Sequence, residues 1–133
     1  MKIFNSQHTE YCFVKMIYTT LLGAQVSYNN QDKIHSFGDM PCLIRQDGYK
    51  EWRKNGLLHR LDKPAVVFED GGQEYWVKGK KHRLSGPAIK YANGHEEWWV
   101  NGKLHREDGP AVCYKNGSVE YWEDGKLLYT YNS

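Results

Sequence analysis

A step of 23 residues recurs along most of this chain and leaves few architectures open. Gly56, Gly79, Gly102 and Gly125 keep that step, as do Glu51, Glu74, Glu97 and Glu120 and the aromatic column Trp52, Tyr75, Trp98 and Tyr121. His59, His82 and His105 follow it too. Each is trailed by an arginine, at Arg60, Arg83 and Arg106, and then by a loop closing on Pro64-Ala65, Pro87-Ala88 or Pro110-Ala111. Self-similarity at this period marks a supersecondary unit that buries its apolar face only by stacking on copies of itself. A degenerate earlier copy keeps Pro41, Asp47 and Gly48 in step, with His35 one residue out of register. The last copy keeps Glu120, Tyr121, Trp122 and Gly125 but puts Leu128 and Tyr129 where the others have His-Arg, as a terminal cap would. The chain thus divides into a segment 1–27 and an array 28–133: a degenerate copy 28–48, full repeats 49–71, 72–94 and 95–117, and a cap 118–133.

Turn chemistry sets the local structure. Asn-Gly, Asp-Gly and Lys-Gly pairs between aromatic and β-branched runs signal two-residue hairpins with positive φ, and each repeat holds two. A hairpin centred on Asn101-Gly102 sets Val100 against Lys103, Trp99 against Leu104, Trp98 against His105 and Glu97 against Arg106, so that every arginine gains a glutamate partner. A second, centred on Asn93-Gly94, sets Ile89 against Trp98, Ala88 against Trp99 and Lys90 against Glu97. Alternation then puts Trp98, Ile89 and His105 on one face and Trp99, Ala88 and Leu104 on the other. The expected fold class is mainly β: an elongated, twisted antiparallel meander of tandem β-hairpins with a short N-terminal cap. For that cap, Phe13, Met16, Ile17 and Leu21 sit at helical spacing between Ser6 and Gly23, although Val14, Ile17, Tyr18 and Thr19 also suit a strand. A short helix covering the first sheet edge is the reading taken here.

These 133 residues make one domain with a modest core. With 18 basic and 16 acidic side chains spread along it, a net charge of +2 demands no nucleic acid, and duplex nucleic acid is not an expected partner. A membrane is not expected either, because Lys15 interrupts the most apolar stretch, nor is a secretory leader ending near Gly23-Ala24. Cys12, Cys42 and Cys113 are an odd number without zinc-type spacing, which fits free thiols in a reducing cytoplasm.

The run Glu97-Trp98-Trp99-Val100-Asn101-Gly102-Lys103-Leu104-His105, with the Trp-x-x-Gly pieces at Trp76–Gly79, Trp99–Gly102 and Trp122–Gly125, resembles MORN repeats. The resemblance covers roughly Gln31 to Tyr131. It departs where His-Arg and Asp-Gly-Pro-Ala replace the family's Gly-x-Gly, and at Arg53, where tryptophan is expected. The chain is in this respect a divergent variant, similar to repeat proteins of phages and large DNA viruses. The resemblance implies a scaffold that binds proteins or anionic lipid headgroups, and it carries no catalytic residue across.

Three chemistries compete for the histidines. A shared metal site at His59, His82 and His105 fails on distance, because equivalent residues two or three strands apart at ~4.8 Å per strand lie about 10–14 Å apart, whereas ligands of one zinc lie about 3.5 Å apart. A phosphoesterase-like hydrolase using one histidine and an arginine has suitable residue types, yet the pair recurs three times in equivalent surroundings, while active sites converge unlike residues in one cleft. Recognition is the third: arginine beside aromatic rings holds phosphate or carboxylate, and tryptophan stacks on a base. The candidate binding residues are therefore His59, Arg60, His82, Arg83, His105, Arg106, Trp76 and Trp99, with Lys80, Lys81 and Lys103 beside them; no catalytic residue, metal ligand or cofactor is assigned. The function expected is a non-enzymatic β-repeat protein that captures a host protein or an anionic, nucleotide-like ligand, with viral counter-defence in the host cytoplasm as one concrete version. A homodimer through open sheet edges is compatible with it. The plainer alternative makes the array a structural interaction scaffold, with each arginine spent on its glutamate and each histidine packed on its ring.

Overall fold

The computed structural model describes residues 3–6 and 14–133, and among these the chain is entirely β. The first six strands are β1 (Ile3–Ser6), β2 (Val14–Thr19), β3 (Gln25–Tyr28), β4 (Leu43–Ile44), β5 (Lys50–Glu51) and β6 (Arg53–Lys54). They are followed by β7 (Leu57–Leu58), β8 (Val66–Val67), β9 (Gln73–Glu74), β10 (Trp76–Val77), β11 (Lys80–Lys81) and β12 (Ile89–Lys90). The last six are β13 (Glu96–Glu97), β14 (Trp99–Val100), β15 (Lys103–Leu104), β16 (Val112–Cys113), β17 (Val119–Glu123) and β18 (Lys126–Tyr131). Twelve described strands make one antiparallel meander, in the order β1-β2-β3-β4-β5-β8-β9-β12-β13-β16-β17-β18, open at both ends. The remaining six form three two-stranded hairpins, β6–β7, β10–β11 and β14–β15, one per full repeat.

The expected hairpin at Asn101-Gly102 is present, with Trp99 opposite Leu104 and Val100 opposite Lys103, and both turn residues at positive φ, 50° and 79°. The hairpin at Asn93-Gly94 is not the one expected: Ile89 faces Glu97 and Lys90 faces Glu96, one residue out of the two-residue register. Its loop has three residues, Ala92, Asn93 and Gly94, closed by Tyr91 N–H donating to the His95 carbonyl at 2.9 Å and Gly94 N–H to the Tyr91 carbonyl at 3.0 Å. The cause lies in the Asn93 side chain, whose Oδ1 accepts from His95 N–H at 2.9 Å and so stabilises a turn in which Gly94 alone is left-handed, at φ 92°. Asp70 and Asn116 do the same for Gly72 and Ser118, each at 2.9 Å.

A one-residue slip moves every side chain to the other face. Glu51, Val66, Glu74, Ile89, Glu97, Val112 and Glu120 therefore share one face as a row. The opposite face carries Trp52, Ala65, Tyr75, Ala88, Trp98 and Ala111, joined by main-chain bonds such as Trp98 N–H to the Ala111 carbonyl at 2.7 Å. The grouping expected from sequence, Trp98 with Ile89, is thus corrected to Trp98 with Ala88. Large rings alternate with alanines on one side and carboxylates with branched aliphatics on the other, so each strand interlocks with its neighbours. Ala65, Ala88 and Ala111 have no exposed surface, and Val66, Ile89 and Val112 are 3 % exposed or less.

The helix expected between Ser6 and Gly23 is also corrected: Val14–Thr19 is strand β2, pairing Tyr18 with Val26 and Thr19 with Gln25. Residues 7–13 of that expectation, Phe13 among them, lie outside the described residues. Backbone partners on both sides, β1 and β3, outweigh the helical spacing of a few apolar residues. Cys42 is a buried free thiol and Cys113 a half-buried one; Cys12 is not described.

Because Ile89 is 1 % exposed in the middle of the carboxylate row, Ile89→Ala should cost about 2–5 kcal/mol in urea unfolding, while Leu84→Ala, at a side chain 80 % exposed, should stay within about 0.5 kcal/mol.

Candidate functional site

Each histidine ends the second strand of a tip hairpin, held there by its own N–H: His59 to the Trp52 carbonyl at 3.1 Å, His82 to Tyr75 at 3.0 Å, His105 to Trp98 at 3.1 Å. The ring then reaches into the following repeat. His59 Nδ1 accepts from Lys78 N–H at 3.0 Å, His82 Nδ1 from Asn101 N–H at 3.0 Å, and His105 Nδ1 from Asp124 N–H at 3.1 Å. The donors are the left-handed first residues of the next tip turns, at φ 51°, 50° and 48°. His35 makes the same bond to Asn55 N–H at 3.0 Å, despite being out of sequence register. The extra residue between His35 and Pro41 absorbs the offset. Two main-chain bonds reinforce each latch, as where Gly79 N–H donates to the Leu58 carbonyl at 2.8 Å and Arg60 N–H to the Trp76 carbonyl at 3.0 Å.

The arginines leave their expected partners. Arg60 lies 3.9 Å from the centre of the Trp52 ring, Arg83 3.9 Å from Tyr75 and Arg106 4.1 Å from Trp98. Each donates from Nη1 to a proline carbonyl, Pro64, Pro87 or Pro110, at 3.1 Å. The expected Glu–Arg pairs at Glu51–Arg60, Glu74–Arg83 and Glu97–Arg106 do not form, because the chain turns away after each histidine to bond the next repeat. The glutamates are instead held on the other face by neighbours two residues away. Trp76, Trp99 and Trp122 donate from Nε1 to Glu74, Glu97 and Glu120 at 2.8, 2.7 and 2.7 Å. Arg53, which stands where tryptophan was expected, donates from Nε to Glu51 at 2.7 Å and so fills the same role. Tyr49 and Tyr114 hydroxyls donate to Glu51 at 2.6 Å and Glu120 at 2.9 Å, and His95 Nε2 lies 2.9 Å from Glu97. Burial, and then the bond to the Glu51 carboxylate, push the Tyr49 hydroxyl well above its ordinary pKa.

The candidate binding residues are consequently split. His59, His82 and His105 each serve a different turn and are not brought together, and Arg60, Arg83 and Arg106 stack along the Trp52-Tyr75-Trp98 side. Trp76 and Trp99 belong to the glutamate side, with the Lys81 ammonium 4.6 Å from the Trp99 ring and 5.8 Å from Trp76. On the arginine side the loops of successive repeats enclose open clefts. The larger, about 670 Å³, is lined by Arg83, Ser85, Trp98, His105, Arg106 and Asp108. A smaller one of about 310 Å³ lies two repeats earlier, between the His35–Asp39 loop and Trp52, His59 and Arg60.

Charge compensation differs between the three arginines. Asp39 pairs with Arg60 at 2.7 Å and with Lys63 at 2.8 Å, and the bonds from Lys63 and then Arg60 hold its carboxyl below the usual carboxylate range. Arg106 pairs with Asp108 at 3.0 Å. Arg83 has Ser85 at the place of Asp108, and Asp62, equivalent to Asp39, turns into the left-handed region at φ 61°. Among the described residues Arg83 makes no ion pair; its contacts are the Tyr75 ring and the Pro87 carbonyl. The serine at position 85 was the readable signal for this difference, and nothing in the spacing alone gave it weight.

No helix among the described residues is long and apolar enough to cross a membrane, and no group of three His, Cys, Asp or Glu among them is placed to hold a metal ion. No protein-family model, curated protein or solved structure matches the chain.

A histidine accepting at Nδ1 carries its proton at Nε2, and a second proton breaks the latch. The His35 ring titrates below its ordinary 6.5 because of burial and then Lys54, and the His59 ring because of burial and then Lys54 and Lys78. Below pH 6.5 the unfolded rings take up protons before the folded ones, so the stability these rings confer is complete above that pH and is lost as pH falls toward the depressed folded values. Urea midpoints should therefore decline between about pH 7 and pH 5, and His59→Gln should flatten part of that decline while costing about 0.5–1.5 kcal/mol at neutral pH.

Proposed function

We propose that this chain is a non-enzymatic binding protein, a divergent MORN-like β-repeat array that holds an anionic, nucleotide-like group in the cleft at Arg83. The observation that carries the reading is the guanidinium of Arg83: it lines the larger cleft and makes no ion pair among the described residues, while Arg60 and Arg106 each have a carboxylate. A guanidinium pinned on a ring and bonded through one nitrogen to a proline carbonyl keeps further donors for a phosphate or carboxylate. It is also pre-oriented, so little side-chain entropy remains to be lost on binding. Trp98 and His105 supply the flat and polar walls that a base or sugar would meet.

The histidines favour binding over hydrolysis. With Nδ1 engaged by a turn N–H, the His105 ring carries its proton at Nε2, 3.8 Å from the Glu107 carboxylate at the cleft wall, and is a hydrogen-bond donor there, not a base. Making Nε2 the base requires moving the proton to Nδ1 and breaking the bond to the next repeat. The same anion could be a free nucleotide or a phosphorylated or acidic segment of a host protein. The resemblance to phage and large-DNA-virus proteins makes sequestration of a nucleotide signal or a host protein in the host cytoplasm the use this reading implies.

Titration calorimetry with pyrophosphate and adenosine monophosphate should show binding that Arg83→Gln weakens about 10- to 150-fold, the worth of one charge-assisted hydrogen bond of about 1.5–3 kcal/mol, with Arg45→Gln unchanged. Equal affinity in the Arg83→Gln protein would sink the assignment. Absence of nucleotide binding together with an Arg83-dependent protein partner, recovered by native purification, would move the anion onto a protein.

A further inference from the structure

The charge that is evenly spread along the sequence is sorted in space. The three tip hairpins β6–β7, β10–β11 and β14–β15 contain Arg53, Lys54, Lys78, Lys80, Lys81 and Lys103 and no Asp or Glu. Arg53 is occupied by Glu51 at 2.7 Å. The five lysines make no ion pair among the described residues, and Lys54, Lys78, Lys80 and Lys103 are exposed. Acidic residues return only in the turns at either end of this run, at Asp32 and at Glu123-Asp124.

Two of these lysines, Lys80 and Lys103, are stacked under the next tip. Gly102 rests on the Lys80 stem, where an added Cβ would meet Lys80 Cβ at 3.7 Å, and Gly125 rests likewise on Lys103 at 3.6 Å. Main-chain bonds tie tip to tip, Gly102 N–H donating to the Lys81 carbonyl and Gly125 N–H to the Leu104 carbonyl, both at 2.9 Å. The half-buried rings of Trp76 and Trp99 border the column, with Lys81 between them. The positive potential is felt nearby: after burial, Lys54 and Lys78 are what lower the pKa of His59.

We infer that this column of hairpin tips is a docking surface for single-stranded nucleic acid. A repeat of two strands advances about 9.6 Å, and a twist of roughly 20–25° per strand turns each tip by about 40–50° from the last. Three successive tips then lie on a ramp, so a flat bilayer or a stiff duplex meets one or two at a time, whereas a flexible phosphate chain follows all of them. Lysines neutralise successive phosphates, and the bordering indoles offer faces on which bases stack once Lys81 moves to a phosphate. This surface is separate from the Arg83 cleft and does not rest on the reading given to that cleft.

The test is fluorescence anisotropy with a labelled oligothymidylate of 20 nucleotides, beside a duplex of equal length and phosphatidylcholine–phosphatidylserine vesicles. Binding to the single strand should dominate, with log K falling against log salt at a slope of about −3, near −0.7 for each phosphate contact. Lys78→Gln, Lys80→Gln and Lys103→Gln combined should lower affinity at least tenfold at low salt and cut the slope by about 2, with unfolding midpoints retained; Lys115→Gln should change neither. The inference is overturned by no binding at low salt, by an unchanged triple variant, or by lysine-dependent binding to vesicles or duplex that equals or exceeds binding to the single strand.

Discussion

The hydrogen bond from a left-handed turn N–H to the Nδ1 of a histidine in the preceding repeat is the constraint on which this array depends. A tip hairpin of two-residue strands has too few main-chain bonds to persist alone. Its turn also leaves a donor pointing out of the ladder, in a residue whose positive φ already carries strain. The histidine satisfies that donor from outside, and the glycine after it is bonded to the carbonyl of the hairpin before. Stability therefore resides between repeats more than within them, as in other one-dimensional arrays. The arginine that follows His59, His82 or His105 completes the junction by bonding the next repeat through its main chain, while its side chain lies over the ring of its own repeat and donates to the proline carbonyl four residues on.

This arrangement explains why the 23-residue signature has the members it has. The His-Arg pair looks like chemistry because histidine and arginine usually are, yet here the ring is an acceptor for a turn and the guanidinium a lid on an aromatic ring. The glutamate completes a separate device on the other face, where it collects an indole N–H, or at Glu51 a guanidinium N–H, from one side and, at Glu51, Glu97 and Glu120, a tyrosine hydroxyl or an imidazole from the other. Arg53 shows that the requirement is for a donor at that place and not for tryptophan itself. What is repeated is a set of satisfied polar groups, and variation at one member, such as Ser85 for aspartate, leaves Arg83 without a carboxylate partner among the described residues.

Much of the fold was legible because glycine turns and aromatic columns kept strict spacing, and the Asn101-Gly102 hairpin kept the expected register from Val100–Lys103 to Trp98–His105, though not to Glu97–Arg106. The Asn93-Gly94 hairpin slipped because the same dipeptide serves two turns, and the choice is made by whether the asparagine side chain is free to bond the N–H two residues on. That single slip exchanged the faces of Ile89 and Ala88; the Glu–Arg pairs failed for another reason, because the main chain leaves the tip hairpin after each histidine and Arg60, Arg83 and Arg106 bond the next repeat. The N-terminal strand was missed for a different reason: in Val14–Thr19 the helical and extended patterns overlap, and only the neighbouring strand decides between them. The candidate site was half visible, since Arg83 was named but its distinction from Arg60 and Arg106 depended on where Asp39, Asp62 and Asp108 point.

Net charge was the least informative property, for a reason the topology makes plain. Each repeat passes in turn through a tip hairpin, a proline loop and an Asx-Gly loop, so residues a few positions apart in sequence end on different sides of the sheet. A lysine at Lys80 and a glutamate at Glu74 cancel in any sequence window, yet one stands at the tip and the other lies under Trp76 on a sheet face. Because the tip hairpins stack, Lys54, Lys78, Lys80, Lys81 and Lys103 gather on one edge although only Lys80 and Lys103 are equivalent positions, while the glutamates gather on a sheet face. In a stacked array the electrostatic character of a surface is therefore set by the sum over the elements stacked there, and a chain near neutrality can still present a cationic edge.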